Sequence, residues 1–204
     1  MAKNSMRKHQ RSSSSQNNKG SGSIRIISGL WRGRKLPVYD AEGLRPTTDR
    51  VKETLFNWIA DDIPNARCLD LFAGSGGLGF EAASRQAEEV TLIELNSQAF
   101  QQLQQNAQTV KATNINLLNQ NSLNFLKQEG QAYDIVFIDP PFRQGLLADT
   151  IELLENNHWL NDQALIYIET EKELEMPALP ESWQLHREKV AGQVRFQLFI
   201  REQQ

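Results

Sequence analysis

Nearly continuous apolar runs at residues 66–72 (ARCLDLF), 89–95 (EVTLIEL), 115–120 (INLLNQ) and 133–139 (YDIVFID), with helical patterns between them, constrain this chain most. Strands that read as unbroken apolar stretches are covered on both faces, which is the condition of parallel strands joined by crossover helices. The clearest helix begins at Ser97 and places Phe100, Leu103, Ala107 and Val110 on one face. Another, around 146–157, follows the fourth run, and QALIYIET at 163–170 reads as a fifth strand. The end of the chain differs. WQLHREKV (183–190) and QVRFQLFI (193–200) are separated by only Ala191-Gly192, so these two strands must be antiparallel neighbours. The pattern predicts an α/β fold: a doubly wound, seven-stranded, mostly parallel sheet closed by an antiparallel C-terminal hairpin.

Upstream of the sheet the character changes twice. Residues 1–22 are Ser, Asn, Gln, Lys and Gly without apolar periodicity, and are expected to be disordered. Residues 23–40 alternate apolar and polar around Gly29 and Gly33, which predicts a small β-hairpin extension. Then comes a helix for which Thr47, Thr48 or Asp49 can serve as cap, with Val51, Leu55, Trp58 and Ile59 on its buried face. Charge is distributed unevenly. Residues 1–39 hold nine Lys or Arg and no Asp or Glu, leaving the rest with thirteen basic and twenty-five acidic side chains. A polyanion such as nucleic acid would be drawn to one end of the molecule.

Residues 69–79 (LDLFAGSGGLG) leave the first parallel strand and enter a helix. Ligands of such sheets bind beyond the carboxyl ends of the strands, where this turn lies. Twenty residues after Gly74, Glu94 closes the second strand, where a carboxylate can accept from both ribose hydroxyls. Gly74, Gly76 and Gly79 also fit the dinucleotide fingerprint G-x-G-x-x-G, so an NAD-dependent oxidoreductase is a competing reading. Asp70 discriminates. A carboxylate beside the turn repels a pyrophosphate but suits the sulfonium and ammonium groups of S-adenosylmethionine. The segment resembles motif I of class I (Rossmann-like) methyltransferases, with Asp70, Phe72, Ala73, Gly74, Ser75 and Gly76 as cofactor residues and Glu94 as motif II.

Asp139-Pro140-Pro141-Phe142 ends the fourth run at the same edge of the sheet. Prolines end the strand ladder and fix an extended backbone. Pro140 keeps a carbonyl acceptor and has no N–H donor. A carboxylate and a carbonyl that each accept an N–H bond would favour a pyramidal amine whose lone pair points at a methyl donor, while Phe142 stacks on an extruded base. The tetrapeptide resembles motif IV of amino-methylating enzymes.

Together with Gly29-x-x-Arg32-Gly33-Arg34-Lys35-Leu36 and residues 45–58 (RPTTDRVKETLFNW), these motifs resemble one family over roughly residues 24–201: RsmD, the bacterial 16S rRNA guanine-N2 methyltransferases. That resemblance implies S-adenosylmethionine as cofactor and guanine 966 of small-subunit rRNA as target, with assembled subunits as the usual substrate. It also implies Asn121 and Ser122 beside the adenine, although the family usually carries an Asp near there. Arg32, Arg34, Lys35 and Arg45 are then expected on RNA, and Thr47 where the helix start could close over the cofactor. Trp31 could stack on RNA or anchor the hairpin. The implied organisation is a tail (1–22), a hairpin extension in RNA contact (23–44) and a methyltransferase domain (45–204). Without the resemblance, a DNA adenine or cytosine amino methyltransferase and a catalytically silent RNA-binding protein stay open.

Other classes are disfavoured. A single cysteine, Cys68, excludes an internal disulfide and sits in an apolar run, where it is expected to be core. His9, His158 and His186 are too few and too scattered for a metal site. No run approaches the length of a membrane span. The expectation is a cytoplasmic, metal-free monomer acting on RNA.

Overall fold

A computed structural model describes residues 22–39 and 48–202. The expected disordered tail and the residues before Thr48, including Arg45 and Thr47, lie outside the described residues. The N-terminal hairpin pairs β1 (Ser23–Arg25) with β2 (Lys35–Pro37). Helix α1 (Asp49–Trp58) follows, and then β3 (Arg67–Asp70), α2 (Gly77–Ser84), β4 (Glu89–Ile93), α3 (Ser97–Val110) and β5 (Ile115–Leu118). The chain next builds α4 (Ser122–Leu126), β6 (Tyr133–Ile138), α5 (Leu147–Asn156), β7 (Leu160–Glu171), β8 (Trp183–Ala191) and β9 (Val194–Arg201).

The large sheet has the order β5-β4-β3-β6-β7-β9-β8. β5, β4, β3, β6 and β7 run parallel, and β9 is antiparallel to both β7 and β8. The seven-stranded prediction is therefore borne out. From β3 the chain winds outward through β4 to β5 and then returns to β6 on the other flank of β3. The β3/β6 boundary is thus a switch point, where crossovers diverge and leave a crevice at the carboxyl ends.

Both sheet faces are covered. One core joins Val51 and Leu55 of α1, Leu78 of α2, Leu103 of α3 and the hairpin's Ile24, Ile26 and Leu36 to Cys68, Phe137 and Tyr167 of the sheet. The other joins Phe125 of α4 and Ile151 and Leu154 of α5 to Val136, Ile138, Ile166 and Phe199. Cys68 is core, as expected.

Two helix faces differ in part from the sequence expectation. On α1 Val51, Leu55 and, just past its end, Ile59 are buried as expected, but Lys52 and Phe56 join them, whereas Trp58 is half-buried and stacks on Phe196 at 5.3 Å. On α3 they are Ala99, Leu103, Asn106 and Val110, with Phe100 and Ala107 at the margin. Polar residues face inward in both cases because each meets a backbone acceptor of the hairpin. The Lys52 ammonium donates to the Arg25 carbonyl, and Asn106 Nδ2 donates to the Pro37 carbonyl at 2.9 Å. Thr48 caps α1, its hydroxyl accepting from the Val51 N–H.

The hairpin sits hard against α2. Gly29 has φ +81°, and a Cβ there would lie 1.9 Å from the Ser84 carbonyl oxygen, so only glycine fits. Fully buried Glu81 accepts from the backbone N–H groups of Ile27 (2.7 Å) and Ser28 (2.9 Å) and pairs with Arg85 at 2.8 Å. Trp31 packs edge-on to Phe80 at 6.4 Å, which makes it the hairpin's anchor.

Candidate active site

β3, β4, β6 and β7 all end at one edge of the sheet, and each delivers a carboxylate there: Asp70, Glu94, Asp139 and Glu169. They line a single cleft of about 570 Å³, a size suited to a nucleoside-like ligand. Phe72, Ala73, Gly74 and Ser75 of the glycine turn border it, as do Asn121 and Ser122 after β5 and Pro140, Pro141 and Phe142 after β6. Residues that are far apart in sequence are brought together because parallel strands share one carboxyl edge.

The turn is held by the two carboxylates beside it. Gly74 N–H donates to Glu94 Oε2 at 2.8 Å, and the other Glu94 oxygen accepts from Asn96 N–H at 2.7 Å. Asp70 Oδ2 accepts from Gly79 N–H at 3.0 Å. Burial pushes the Asp70 carboxyl up to about 7, opposed by the Gly79 and Phe72 N–H groups and reinforced by the charge of Glu94. Burial also raises Glu94, again against backbone N–H donors.

Gly76 is the one described motif residue that does not border the cleft. It begins α2 at φ +79°, and a Cβ there would meet Phe80 and Leu103 at 2.6–2.7 Å. Its contribution is to let the turn close against α2 and α3. Ser122 borders the cleft, but its hydroxyl donates to the Leu71 carbonyl and ties the start of α4 to the end of β3. Asn121 caps α4, its side chain accepting from Asn124 N–H at 3.0 Å. Asp139 is half-buried, Pro140 buried, and Phe142 39% exposed at the rim. Arg32, Arg34 and Lys35 are exposed on the hairpin and away from the cleft lining.

Several lining residues were not singled out from the sequence. Thr48 brings the start of α1 to the cleft, and Ala191 and Val194 bring the turn between β8 and β9. Glu169 is 5% exposed on β7, with Tyr167 Oη donating to its Oε2 at 2.8 Å. A glutamate directly after the apolar run at residues 164–168, one strand over from Asp139, was the signal available for it.

Among the described residues no Lys, Arg or His lines the cleft. Four carboxylates with no cation reject a pyrophosphate and welcome positive charge, which sets aside the dinucleotide reading. The donor set fits S-adenosylmethionine: Glu94 for a ribose, acidic groups and turn carbonyls for the charged end. A cleft that accepts a cationic nucleoside at the switch point of this sheet belongs to the S-adenosylmethionine-dependent methyltransferases, and this chain is one of them.

Comparison with known proteins narrows the class. The chain is 60% identical to an Escherichia coli (strain K12) protein named ribosomal RNA small subunit methyltransferase D, over 92% of this chain and 95% of that one. It is 53% identical to a Haemophilus influenzae protein of the same name, over 87% and 94%. A solved structure from Escherichia coli superposes with a TM-score of 0.84 at 57% identity, covering 90% of this chain and all of the other. Residues 24–200 match the family described as Conserved hypothetical protein 95, and the chain belongs to that family, the RsmD family.

Proposed function

We propose that this enzyme transfers a methyl group from S-adenosylmethionine to the exocyclic N2 amine of guanine 966 in 16S rRNA, within the small ribosomal subunit. The observation that carries the reading is the cleft itself. An acidic cofactor pocket with no Lys, Arg or His among its described lining residues runs into Asp-Pro-Pro-Phe at the neighbouring strand end. The names of the relatives given above support the rRNA substrate, and the hairpin's exposed Arg32, Arg34 and Lys35 supply cations for its phosphates. Arg45 joins this set, and Thr47 the cofactor set, by family resemblance alone.

Bound S-adenosylmethionine supplies an electrophilic methyl group on a sulfonium. Glu94 would hold the ribose hydroxyls, and Asp70, Phe72, Ala73, Gly74 and Ser75 would hold the charged end, with Gly76 closing the turn behind them. Asn121 and Ser122 would hold the adenine. The target base leaves its stack and enters over Phe142, which stacks on it. Asp139 and the Pro140 carbonyl accept the two N–H bonds of the amine, so its lone pair localises toward the methyl group. Asp139 is also placed to take the proton that the nitrogen must lose after methylation. Positioning and electrostatics carry the rate, and no covalent enzyme intermediate is needed. The enzyme acts in the cytoplasm as a monomer on ribosomal particles; no helix among the described residues is long and apolar enough to cross a membrane.

The test is incubation with labelled S-adenosylmethionine and small subunits from cells lacking this gene, followed by mapping of the label. One N2-methylated guanine in 16S rRNA is expected; label on DNA or on no small-subunit guanine refutes the reading. Asp139→Ala should remove transfer while calorimetry shows S-adenosylhomocysteine binding largely intact.

A further inference from the structure

Catalytic chemistry at Asp139 explains why an amine is methylated but not which base presents it. Adenine and cytosine carry their amino groups next to ring nitrogens that bear lone pairs. Guanine carries its amine next to a ring N1–H donor. A second acceptor beside the amine site would therefore separate guanine from the other two.

Glu169 stands in that position. Ile138 on β6 is in register with Ile168 on β7, so Asp139 and Glu169 are the next residues on adjacent parallel strands. Alternation turns both toward the same side as Phe137 and Tyr167, which are also register partners. Both carboxylates stand close enough to the Tyr167 hydroxyl to raise it, after burial as the main cause. Tyr167 is fully buried and donates to Glu169 Oε2, which fixes the glutamate's rotamer.

We propose that Glu169 selects guanine, accepting its ring N1–H while Asp139 holds the neighbouring amine. Tyr167 is the positioning residue for Glu169. The inference rests on the guanine-N2 reading and deepens it. For adenine or cytosine, a ring lone pair would face the glutamate, so rejection comes from repulsion as well as from a missing bond.

The test compares 16S rRNA carrying guanine or 2-aminopurine at the target position. 2-Aminopurine keeps the 2-amino group but has neither the N1–H nor the carbonyl. The native enzyme should discriminate in kcat/KM, and E169L should shrink the guanine/2-aminopurine ratio by about ten- to a hundred-fold, as expected for one bond to a charged acceptor. The lost carbonyl is common to both proteins and cancels. E169Q keeps a neutral acceptor and should fall between them. Equilibrium binding of the two RNAs with S-adenosylhomocysteine present should show the same ordering without turnover. An unchanged ratio in E169L overturns the proposal, because a merely structural glutamate would lower both substrates alike. If E169L no longer binds S-adenosylhomocysteine, E169Q decides, and a native ratio there overturns it. A native enzyme that methylates no 16S guanine overturns the underlying reading instead, a result distinct from methylation without discrimination.

Discussion

At the end of β3 a carboxyl group is 2% exposed, takes its hydrogen bonds from backbone N–H donors, and is held up to about 7 by burial. Unfolded, the same side chain titrates near ~3.9. Between these two values the folded protein keeps a proton at Asp70 that the unfolded chain has released. The stability associated with that proton is complete below about pH 4 and is lost as pH rises to about 7. Asp70→Asn cannot titrate. The melting temperature of the native protein relative to that variant should therefore fall from pH 4.5 to 7 and level off above; a difference that is flat or rises over this range would contradict the assignment. Residues also mark the limit of the sequence reading. Asp139 was legible because it ends an apolar run beside Pro140, Asp70 because it lies four residues before Gly74 of the glycine turn, and Glu94 because it follows an apolar run twenty residues after Gly74. Glu169 was not, because hydrophobic periodicity describes QALIYIET as buried strand and is silent about which buried side faces a ligand.

The hairpin is an element fixed in place rather than a trailing arm. Glu81 binds two of its N–H groups, Ser84 Oγ accepts from Trp31 N–H at 2.9 Å, and Gly29 lies against the Ser84 carbonyl. Gly29→Ala combines a left-handed backbone with a clash against main chain. It should cost about 2 kcal/mol or more in urea denaturation; a neutral effect would mean the hairpin is not docked as described. With the element held rigidly, its exposed cations act as a set. Replacing Arg32, Arg34 and Lys35 by Ser should reduce the slope of log K against log salt for single-stranded RNA by about 2. An unchanged slope would place the phosphate contacts elsewhere. The hairpin's existence could be read from alternation around Gly29 and Gly33. Its docking could not, since it depends on Lys52, Glu81 and Asn106, charged or polar residues that a period-based reading assigns to the outside of helices α1, α2 and α3.

At the scale of the molecule, the order of strands was partly legible. Five apolar runs with helices between them imply a parallel sheet, and two residues between the last runs imply an antiparallel pair. Which of those two strands joins the sheet cannot be read from the runs themselves, and it is the later one. β9 lies between β7 and β8, with Phe196, Leu198 and Phe199 buried. β8, at the edge, is exposed along most of its length and carries a bulge between Leu185 and Arg187, features that discourage pairing with other chains. Deleting residues 194–204 should therefore leave a protein without a cooperative thermal transition, whereas loss of the outer strand alone would be milder. A sharp native-like transition in the truncated protein would refute this.

That insertion sets a timetable for synthesis. β9 leaves the ribosome after every other strand of the sheet, and until it arrives β8 has nothing to pair with and the cleft lacks Val194. A nascent chain that has made all the other pocket residues still cannot complete the pocket, so an enzyme that methylates ribosomal RNA becomes competent only once its own translation has passed the final strand.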